Sequence, residues 1–240
     1  MKPVITYEHL RKFAYTNDQI CKQPIKGVVL SFFGLNANSM FDTDPPEGIF
    51  YGERGILYVV PYNNPWAWMN RQAVAYTDEV IDVLLAHYGL PDTLPIVSTG
   101  GSMGGLSALV YTRYAKRTPV ACVANCPVCD LVFHYGERAD LPRTLYSAFY
   151  HYDGEMEKAL QTASPLHLVP GMPRVVYHVF HCDRDEAVNL HAHSERFVEA
   201  MRAQGHRITF TIVEGRGHCD LTEEMWQRYT QACVHAVEGA

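Results

Sequence analysis

Residues 100–104 read G-G-S-M-G and could supply a nucleophilic serine. This G-x-S-x-G pattern lies between an apolar run at 94–98 and a helix-like run at 106–111. A serine in so tight a strand-to-helix turn has a strained backbone, and the flanking glycines avoid collisions that side chains would cause. The N–H of Met103 would then point at the group that Ser102 attacks. The pattern predicts a catalytic serine, and the alternative is a glycine-rich turn with an incidental one.

A carboxylate and an imidazole follow, each in a loop after a predicted strand. Asp185 follows the apolar run 174–180, and His218 follows the β-branched run 208–213. An imidazole titrates near neutral pH, so His218 could take the proton of Ser102 and return it to a leaving group. A carboxylate beside it would fix the tautomer of the ring and stabilise the imidazolium. The three residues predict nucleophilic catalysis through an acyl-enzyme intermediate.

Other interpretations of these residues remain open. Asp183 stands two positions before Asp185 and is a rival acid. The surrounding loop is rich in charge, so that either carboxylate could simply be solvated. His218 is one of 12 histidines and could be a satisfied loop residue. The order nucleophile, acid, histidine favours a catalytic triad of Ser102, Asp185 and His218 over these alternatives.

The stretch from His181 to Val188 resembles the H-G-x-x-D-x-x-V loop of prolyl-oligopeptidase-like and dienelactone-hydrolase-like members of the α/β-hydrolase superfamily. Asp185 stands at the acid of that loop, and Cys182 replaces its glycine. The resemblance extends from about Gly27 to the end of the chain. It implies the α/β-hydrolase fold, which is a doubly wound, mostly parallel sheet with helices on both faces. It implies neither a metal nor an organic cofactor.

The resembled fold uses two backbone N–H groups to stabilise an oxyanion, one after the nucleophile and one after the third strand. Met103 would supply the first. The apolar run 27–33 ends at Gly34 and looks like the family's strand followed by H-G-x, with Phe33 in the place of the histidine. Leu35 would then supply the second N–H, with Phe33 or Gly34 as alternatives.

Strand-like and helix-like runs alternate along most of the chain, which favours parallel strands with ligands at their carboxyl ends. The predicted strands are 27–33, 55–60, 94–98, 120–125, 174–180 and 208–213, and the predicted helices are 70–87, 104–116, 190–204 and 222–237. The first two dozen residues could add antiparallel strands at one edge. No linker or repeat divides the chain, so residues 1–240 are expected to form one domain. An insertion at about 130–168 would form a short lid, as the resemblance implies.

Two tryptophans could determine substrate specificity. Trp66 and Trp68 follow the predicted strand 55–60, at the sheet edge where Ser102 is expected. Their rings could enclose an acyl or alcohol group of the substrate. In an extended segment they would share a face, whereas in a helix they would diverge and at most one would contact substrate. The alternative is that both pack in the core.

The composition limits the partners of the chain. The net charge of −6 is spread without basic clusters, which argues against nucleic acid or an anionic membrane as partners. No apolar run is long enough to span a membrane, and the amino terminus lacks the apolar core of a signal peptide. Seven cysteines without extracellular signals suit reduced thiols. These features predict a cytoplasmic location and a small-molecule substrate.

The pattern C-x-x-C at Cys126 and Cys129 is a weak sign of thiol chemistry. A redox motif would be expected at a helix N-terminus, and a zinc site would need a second matched pair. Neither is visible, although Cys182 and Cys219 could come close in space. Buried structural thiols are the favoured interpretation, and no metal is predicted.

The histidines His191 and His193 open a predicted helix. Residues two apart on a helix do not share a face. We therefore expect both side chains on the solvated surface.

These features together predict a serine carboxylic-ester hydrolase acting on a small-molecule ester. One alternative is a prolyl-oligopeptidase-like peptidase acting on small peptides, but such enzymes usually carry a large gating domain for which this chain has no room. A non-catalytic binding protein on a hydrolase scaffold is a second alternative, and it would be expected to lack a triad residue. A redox or metal protein that uses Cys126 and Cys129 is a third.

Overall fold

The computed structural model describes residues 4–37 and 39–240, so the first three residues of the predicted amino-terminal segment lie outside the described part. Its strands are β1 (Ala14–Thr16), β2 (Gly27–Phe32), β3 (Ile56–Pro61), β4 (Ile96–Gly101), β5 (Ala121–Asn125), β6 (Val176–Cys182) and β7 (Arg207–Val213). They form one sheet in the order β1-β3-β2-β4-β5-β6-β7. Strand β1 pairs with β3 in antiparallel fashion, and the other neighbours pair in parallel. The carboxyl ends of β2 to β7 therefore meet at one edge.

Helices connect the parallel strands. They are α1 (Pro46–Gly52), α2 (Arg71–Tyr88), α3 (Met103–Tyr114), α4 (Leu131–Glu137), α5 (Leu141–Phe149), α6 (Met156–Gln161), α7 (Pro165–Leu168), α8 (Arg196–Ala203) and α9 (Glu223–Glu238). A π-helical turn, His191–Glu195, leads directly into α8. Helix α2 shows how local sequence sets the ends: Asn70 Oδ1 accepts the N–H of Ala73, and Gly89 ends the helix in the left-handed conformation.

The sheet is covered on both faces. Successive residues of a strand point to opposite faces. In β2, Val28 and Leu30 pack in the larger apolar core, to which α2, α3 and α8 contribute. Val29 between them packs in a second core with residues of α9 such as Val234. The predicted architecture, a mostly parallel α/β sheet with helices on both faces, is confirmed.

Some predicted boundaries differ from those of the structure. The amino-terminal segment contributes one edge strand, β1, with Tyr15 opposite Val60. Strand β4 continues beyond the predicted end at residue 98, because Gly100 and Gly101 still pair with β5. Glycine has a low strand propensity, which hid this extension from the sequence pattern. The consequence is that the strand runs up to Ser102.

Four helices, α4 to α7, form the insertion between β5 and β6. Hydrogen bonds tie it to the segment after β3: Trp68 Nε1 donates to Thr144 Oγ1 at 3.1 Å, and Asn70 Nδ2 donates to the carbonyl of Ala148 at 2.8 Å. None of the helices in the described ranges combines the length and the apolar character that crossing a bilayer requires.

Candidate active site

Ser102 occupies the turn between β4 and α3 with a strained backbone, φ 59° and ψ −125°. Its N–H donates to the carbonyl of Asn125 at 2.9 Å. A Cβ on Gly104 would collide with the carbonyl oxygen of Phe32, and one on Gly100 would lie 2.6 Å from the backbone of Gly104. Only glycine fits at these two positions. The G-x-S-x-G pattern therefore forms the tight turn that the sequence predicted.

Asp185 and His218 lie within hydrogen-bonding distance of each other. Nδ1 of His218 donates to Oδ2 of Asp185 at 2.7 Å, and the carboxylate is fully buried. Its other oxygen, Oδ1, accepts the N–H groups of Ala187 and Val188, both at 2.9 Å. Nε2 of the buried His181 lies 3.4 Å from Oδ2. The carboxylate thus accepts three hydrogen bonds and has the ring of His181 beside it.

These contacts determine the protonation of both groups. Burial alone would raise the pKa of Asp185, but the hydrogen bonds from His181, His218 and the N–H of Val188 outweigh it and hold that pKa well below its usual range. Burial alone would lower the pKa of His218, but the hydrogen bond and the charge of Asp185 outweigh it and raise that pKa. Asp185 therefore stays ionised, and its charge stabilises the protonated form of His218.

The rival acid, Asp183, has a different partner. Its Oδ1 accepts the N–H of Gly215 at 2.6 Å, and its own N–H donates to the carbonyl of Val213 at 3.1 Å. These two bonds stabilise the turn that follows β7. Asp185, and not Asp183, is the carboxylate hydrogen-bonded to His218.

Asn125, the last residue of β5, links the serine turn to the histidine loop. Its carbonyl accepts from Ser102 N at 2.9 Å and lies 3.7 Å from Cys219 Sγ. Its side chain Nδ2 donates to the carbonyl of Cys219 at 3.2 Å. Asn125 could not be singled out from the sequence, because an asparagine at the end of a strand carries no pattern of its own. The only available signal was its place at the carboxyl edge of the sheet.

Two of the predicted oxyanion donors are free to bind a ligand. Within residues 4–37 and 39–240, the backbone N–H groups of Leu35 and Met103 donate to no acceptor. The turn that holds Leu35 lies beside the serine, since a Cβ on Gly34 would be 3.9 Å from Cβ of Ser102. This arrangement can place two N–H groups next to one reacting carbonyl.

The two tryptophans differ in their surroundings. Trp66 is 39% exposed, and its indole N–H donates to Oδ1 of Asn36, which follows the Leu35 turn. Trp68 is only 1% exposed and packs edge-on against His134 while it donates to Thr144. The prediction that Trp68 lines the substrate site is therefore wrong. Its ring fills the junction between the insertion and the rest of the core.

The cysteines of the C-x-x-C pattern are buried thiols that point to different partners. Sγ of Cys129 contacts the carbonyl of Pro127. Sγ of Cys126 accepts the N–H groups of Cys182 and Cys219, each at 3.4 Å. The sulfur of Cys126 thereby holds together the loops after β6 and β7.

His193 does not lie on the surface. His191 is exposed as predicted, but the side chain of His193 is completely buried. Its Nδ1 accepts the N–H groups of Cys129 and Asp130, both at 3.1 Å, and its Nε2 lies 2.9 Å from Oε2 of Glu137. The prediction failed because the insertion covers this side of the turn, which the spacing of two histidines cannot reveal.

The fold and the site define a hydrolase of the α/β class, and comparison with known proteins specifies the family. The chain belongs to the prolyl oligopeptidase family, which matches residues 67–235. This family consists of serine hydrolases and includes esterases and peptidases, and its members act on small-molecule esters or peptides. Among the curated proteins, none matches the chain.

Solved structures share the α/β-hydrolase fold at low sequence identity. A thermophilic esterase, Est2 from Thermogutta terrifontis, solved with propionate bound, is 19% identical with a TM-score of 0.65, over 94% of this chain and 88% of that one. An S-formylglutathione hydrolase from Agrobacterium tumefaciens is 17% identical with a TM-score of 0.66, over 88% and 83%. An acylaminoacyl peptidase from Pyrococcus horikoshii is 13% identical with a TM-score of 0.64, over 85% of this chain. The chain spans only 34% of the length of that peptidase.

Proposed function

We propose that this protein is a serine hydrolase of carboxylic esters with the triad Ser102, His218 and Asp185. One observation carries the proposal: Nδ1 of His218 donates to Asp185 at 2.7 Å, while Ser102 sits in the strained turn at φ 59°. A neutral imidazole with its proton on Nδ1 has a lone pair on Nε2. That lone pair is what a general base for a serine hydroxyl requires.

The reaction then proceeds in two halves. Oγ of Ser102 attacks the carbonyl carbon of the ester, and its proton passes to Nε2 of His218. The imidazolium gives this proton to the departing alcohol, which leaves an acyl group on the serine. A water molecule then attacks the acyl group in the same way, with His218 again accepting and returning the proton, and the carboxylic acid is released from Ser102. Asp185 remains ionised throughout and stabilises the imidazolium, in keeping with its lowered pKa.

The N–H groups of Leu35 and Met103 stabilise the oxyanion that forms in each half. Both are free of acceptors in the described structure, and each belongs to a segment held firmly in place. Met103 opens α3, and the residue after Leu35 is fixed by its own N–H, which donates to the carbonyl of Pro65 at 3.1 Å. Donors that need no reorganisation stabilise the developing charge most effectively.

Trp66 forms a wall of the substrate site in this proposal. It borders a cavity of about 260 Å³ together with Tyr62 and Ala148. A narrow crevice beside Gly34 and Met103 shares the residues Asn63, Asn64 and Ala67 with this cavity. The cavity therefore adjoins a crevice that reaches Met103, one of the proposed oxyanion donors, and in this proposal an acyl or alcohol group would lie there.

Esters rather than peptides are the proposed substrates. The likeness to the esterase Est2 and to the S-formylglutathione hydrolase extends over most of those chains, whereas it covers about a third of the acylaminoacyl peptidase. Propionate bound to Est2 favours a short acyl group. A cytoplasmic location is also proposed, because all seven cysteines are free thiols.

The test is labelling by a fluorophosphonate probe, combined with turnover of two substrate series. Short p-nitrophenyl esters and N-acyl amino acid p-nitroanilides share a chromophore, so their kcat/KM values can be compared directly. The protein is expected to be labelled and to prefer the esters, while Ser102→Ala is not labelled. Ser107→Ala is the matched control, since Ser107 lies in α3 and its hydroxyl donates to the carbonyl of Met103 at 2.9 Å. Labelling of Ser102→Ala would refute the nucleophile, and preference for the anilides would favour a peptidase.

A further inference from the structure

Three thiols meet at the carboxyl edge of the sheet, beside the proposed general base. Cys126 follows β5, Cys182 ends β6, and Cys219 follows His218 in the chain. Cys126 and Cys182 are fully buried, whereas Cys219 is partly exposed. The catalytic proposal uses none of these sulfur atoms, so their convergence has no explanation in the hydrolytic reaction.

Two of the sulfurs and the imidazole of His218 lie in a tight triangle. Sγ of Cys126, Sγ of Cys219 and a ring nitrogen of His218 all lie within 4.8 Å of one another. Sγ of Cys219 is 3.8 Å from Nε2. A tetrahedral Zn²⁺ ion, with Zn–S of about 2.3 Å and Zn–N of about 2.0 Å, needs ligand atoms separated by roughly 3.5–3.8 Å. Small side-chain movements would therefore complete the coordination.

The hydrogen bonds around the triangle leave its ligand atoms available. Nδ1 of His218 carries the proton that is donated to Asp185, so the lone pair of the neutral ring is on Nε2. A carboxylate bonded to the second nitrogen is the usual support of a zinc-binding histidine. The Cys219 thiol and burial raise the pKa of Cys126, whereas the two N–H groups that its sulfur accepts, from Cys182 and Cys219, favour the thiolate; the charge of the metal must therefore complete the deprotonation.

In two other clusters of potential ligands, the histidine nitrogen does not have a free lone pair for a metal. In the cluster of His134, Glu137 and His193, Nδ1 of His193 accepts two backbone N–H groups, so its Nε2 holds the proton that faces Glu137. In the cluster of Cys126, His181 and Asp185, Nε2 of His181 donates to the carbonyl of Val188 at 3.0 Å. Neither Nε2 has a lone pair to offer a metal.

We propose that Cys126, Cys219 and His218 form a binding site for Zn²⁺, and that the ion is an inhibitor rather than a resident cofactor. Each thiol releases one proton on binding, and the two thiolates balance the charge of the cation. Nε2 donates its lone pair to the metal and can no longer accept the proton of Ser102. A fourth coordination position is left for water. The inhibitory consequence rests on the proposed hydrolytic function, whereas the binding site itself does not.

Binding is tested without reference to activity, by titrating Co²⁺ into the Ser102→Ala protein. Cobalt bound to thiolates gives a charge-transfer absorption in the near ultraviolet, which is expected here at one ion per chain. Cys219→Ala and Cys126→Ala on the same background should lose the absorption. Cys129→Ala is the matched control, because Cys129 is the C-x-x-C partner of Cys126 but its sulfur contacts Pro127, and it should keep the absorption. Absence of the thiolate band in the parent protein would overturn the site.

Inhibition is tested with an active protein and a p-nitrophenyl ester, in the presence of a phosphine reductant. Zn²⁺ should inhibit and EDTA should restore the rate, whereas Mg²⁺ and Ca²⁺, which prefer oxygen ligands, should have no effect. Cys219→Ala should stay active and need at least about tenfold more Zn²⁺, since even the loss of an outer-shell partner of a ligand costs that much affinity. Unchanged sensitivity of this variant would contradict the proposal. Inactivation that EDTA does not reverse would likewise contradict the proposal.

Discussion

Nε2 of His181 lies 3.4 Å from Oδ2 of Asp185, and both side chains are fully buried. The carboxylate is therefore contacted by two imidazoles, since His218 approaches the same oxygen at 2.7 Å. Nδ1 of His181 is bonded to Oγ of Ser194 at 2.7 Å, which fixes the ring from the other side. In the proposed mechanism His181 is a positioning residue, because its buried ring contacts Asp185 and Ser194 and has no exposed surface for a substrate.

Replacement of His181 by phenylalanine tests this role. The variant removes the imidazole that bonds Val188 O and Ser194 Oγ, and one unsatisfied buried group costs about 1–3 kcal/mol of unfolding free energy. Asp185 keeps its bonds to His218, Ala187 and Val188 but loses the contact with His181, so we expect a lower melting temperature and a lower kcat with little change in KM. A fall in melting temperature with an unchanged kcat would mean that His181 serves stability alone.

The two aspartates of the loop should respond differently to the same substitution. Asp185→Asn should lower kcat by on the order of 10⁴, because the amide favours the wrong tautomer of His218. Asp183→Asn should have a mild effect, since its partner is the N–H of Gly215. Steady-state kinetics of both variants on one ester provides the measurement. The reverse order of effects would make Asp183 the catalytic acid.

The pH dependence of hydrolysis should report the pKa of His218. The base must be neutral, so kcat/KM falls as the pH decreases through that pKa. Because Asp185 raises this pKa, the acidic limb should lie above the usual titration range of a histidine. Asp185→Asn removes the stabilising charge and should move the limb to lower pH. If the acidic limb of the pH–rate profile does not move in this variant, a group other than His218 controls the pH dependence of kcat/KM.

Substitution of Trp66 should change substrate specificity, whereas substitution of Trp68 should change the stability of the fold. Trp66→Ala removes a wall of the proposed site, so kcat/KM should fall more for bulky esters than for a phenyl acetate. Trp68→Ala opens a cavity in the core and should cost about 3–5 kcal/mol of unfolding free energy, with an equal loss on every ester. A panel of esters and thermal denaturation of both variants check this. Uniform losses in Trp66→Ala would assign it a structural role, through its bond to Asn36.

The parts of the site that depend on local geometry could be predicted from the sequence. The turn at Ser102 needs glycine on both sides for steric reasons that act within a few residues. The loop pattern around Asp185 likewise predicted which carboxylate would approach His218, and the structure brings these two together. The alternation of strand-like and helix-like runs predicted the sheet for the same reason, because side-chain periodicity is a local property.

The parts that depend on distant contacts could not be predicted. His193 is buried because Cys129 and Asp130 donate to it from another segment, and no spacing rule contains that information. Trp68 is buried because the insertion supplies Thr144 as its partner, 76 residues further along the chain. The rule that residues two apart do not share a helix face did hold, because His191 is exposed while His193 is buried.

The hydrogen bonds of the Glu137 carboxylate bear on which step could limit kcat. Its Oε2 bonds His134 on the same helix, α4, at 2.5 Å and His193 before α8 at 2.9 Å. These hydrogen bonds outweigh burial and hold the pKa of Glu137 at about 2, so the carboxylate stays ionised in ordinary buffers. The start of the insertion is thus tied to the segment before α8 by the hydrogen bond between Glu137 and His193. For the proposed hydrolysis we therefore expect that release of the alcohol and the acid needs no slow opening of α4, and that solvent viscosity affects kcat only through diffusion of these products.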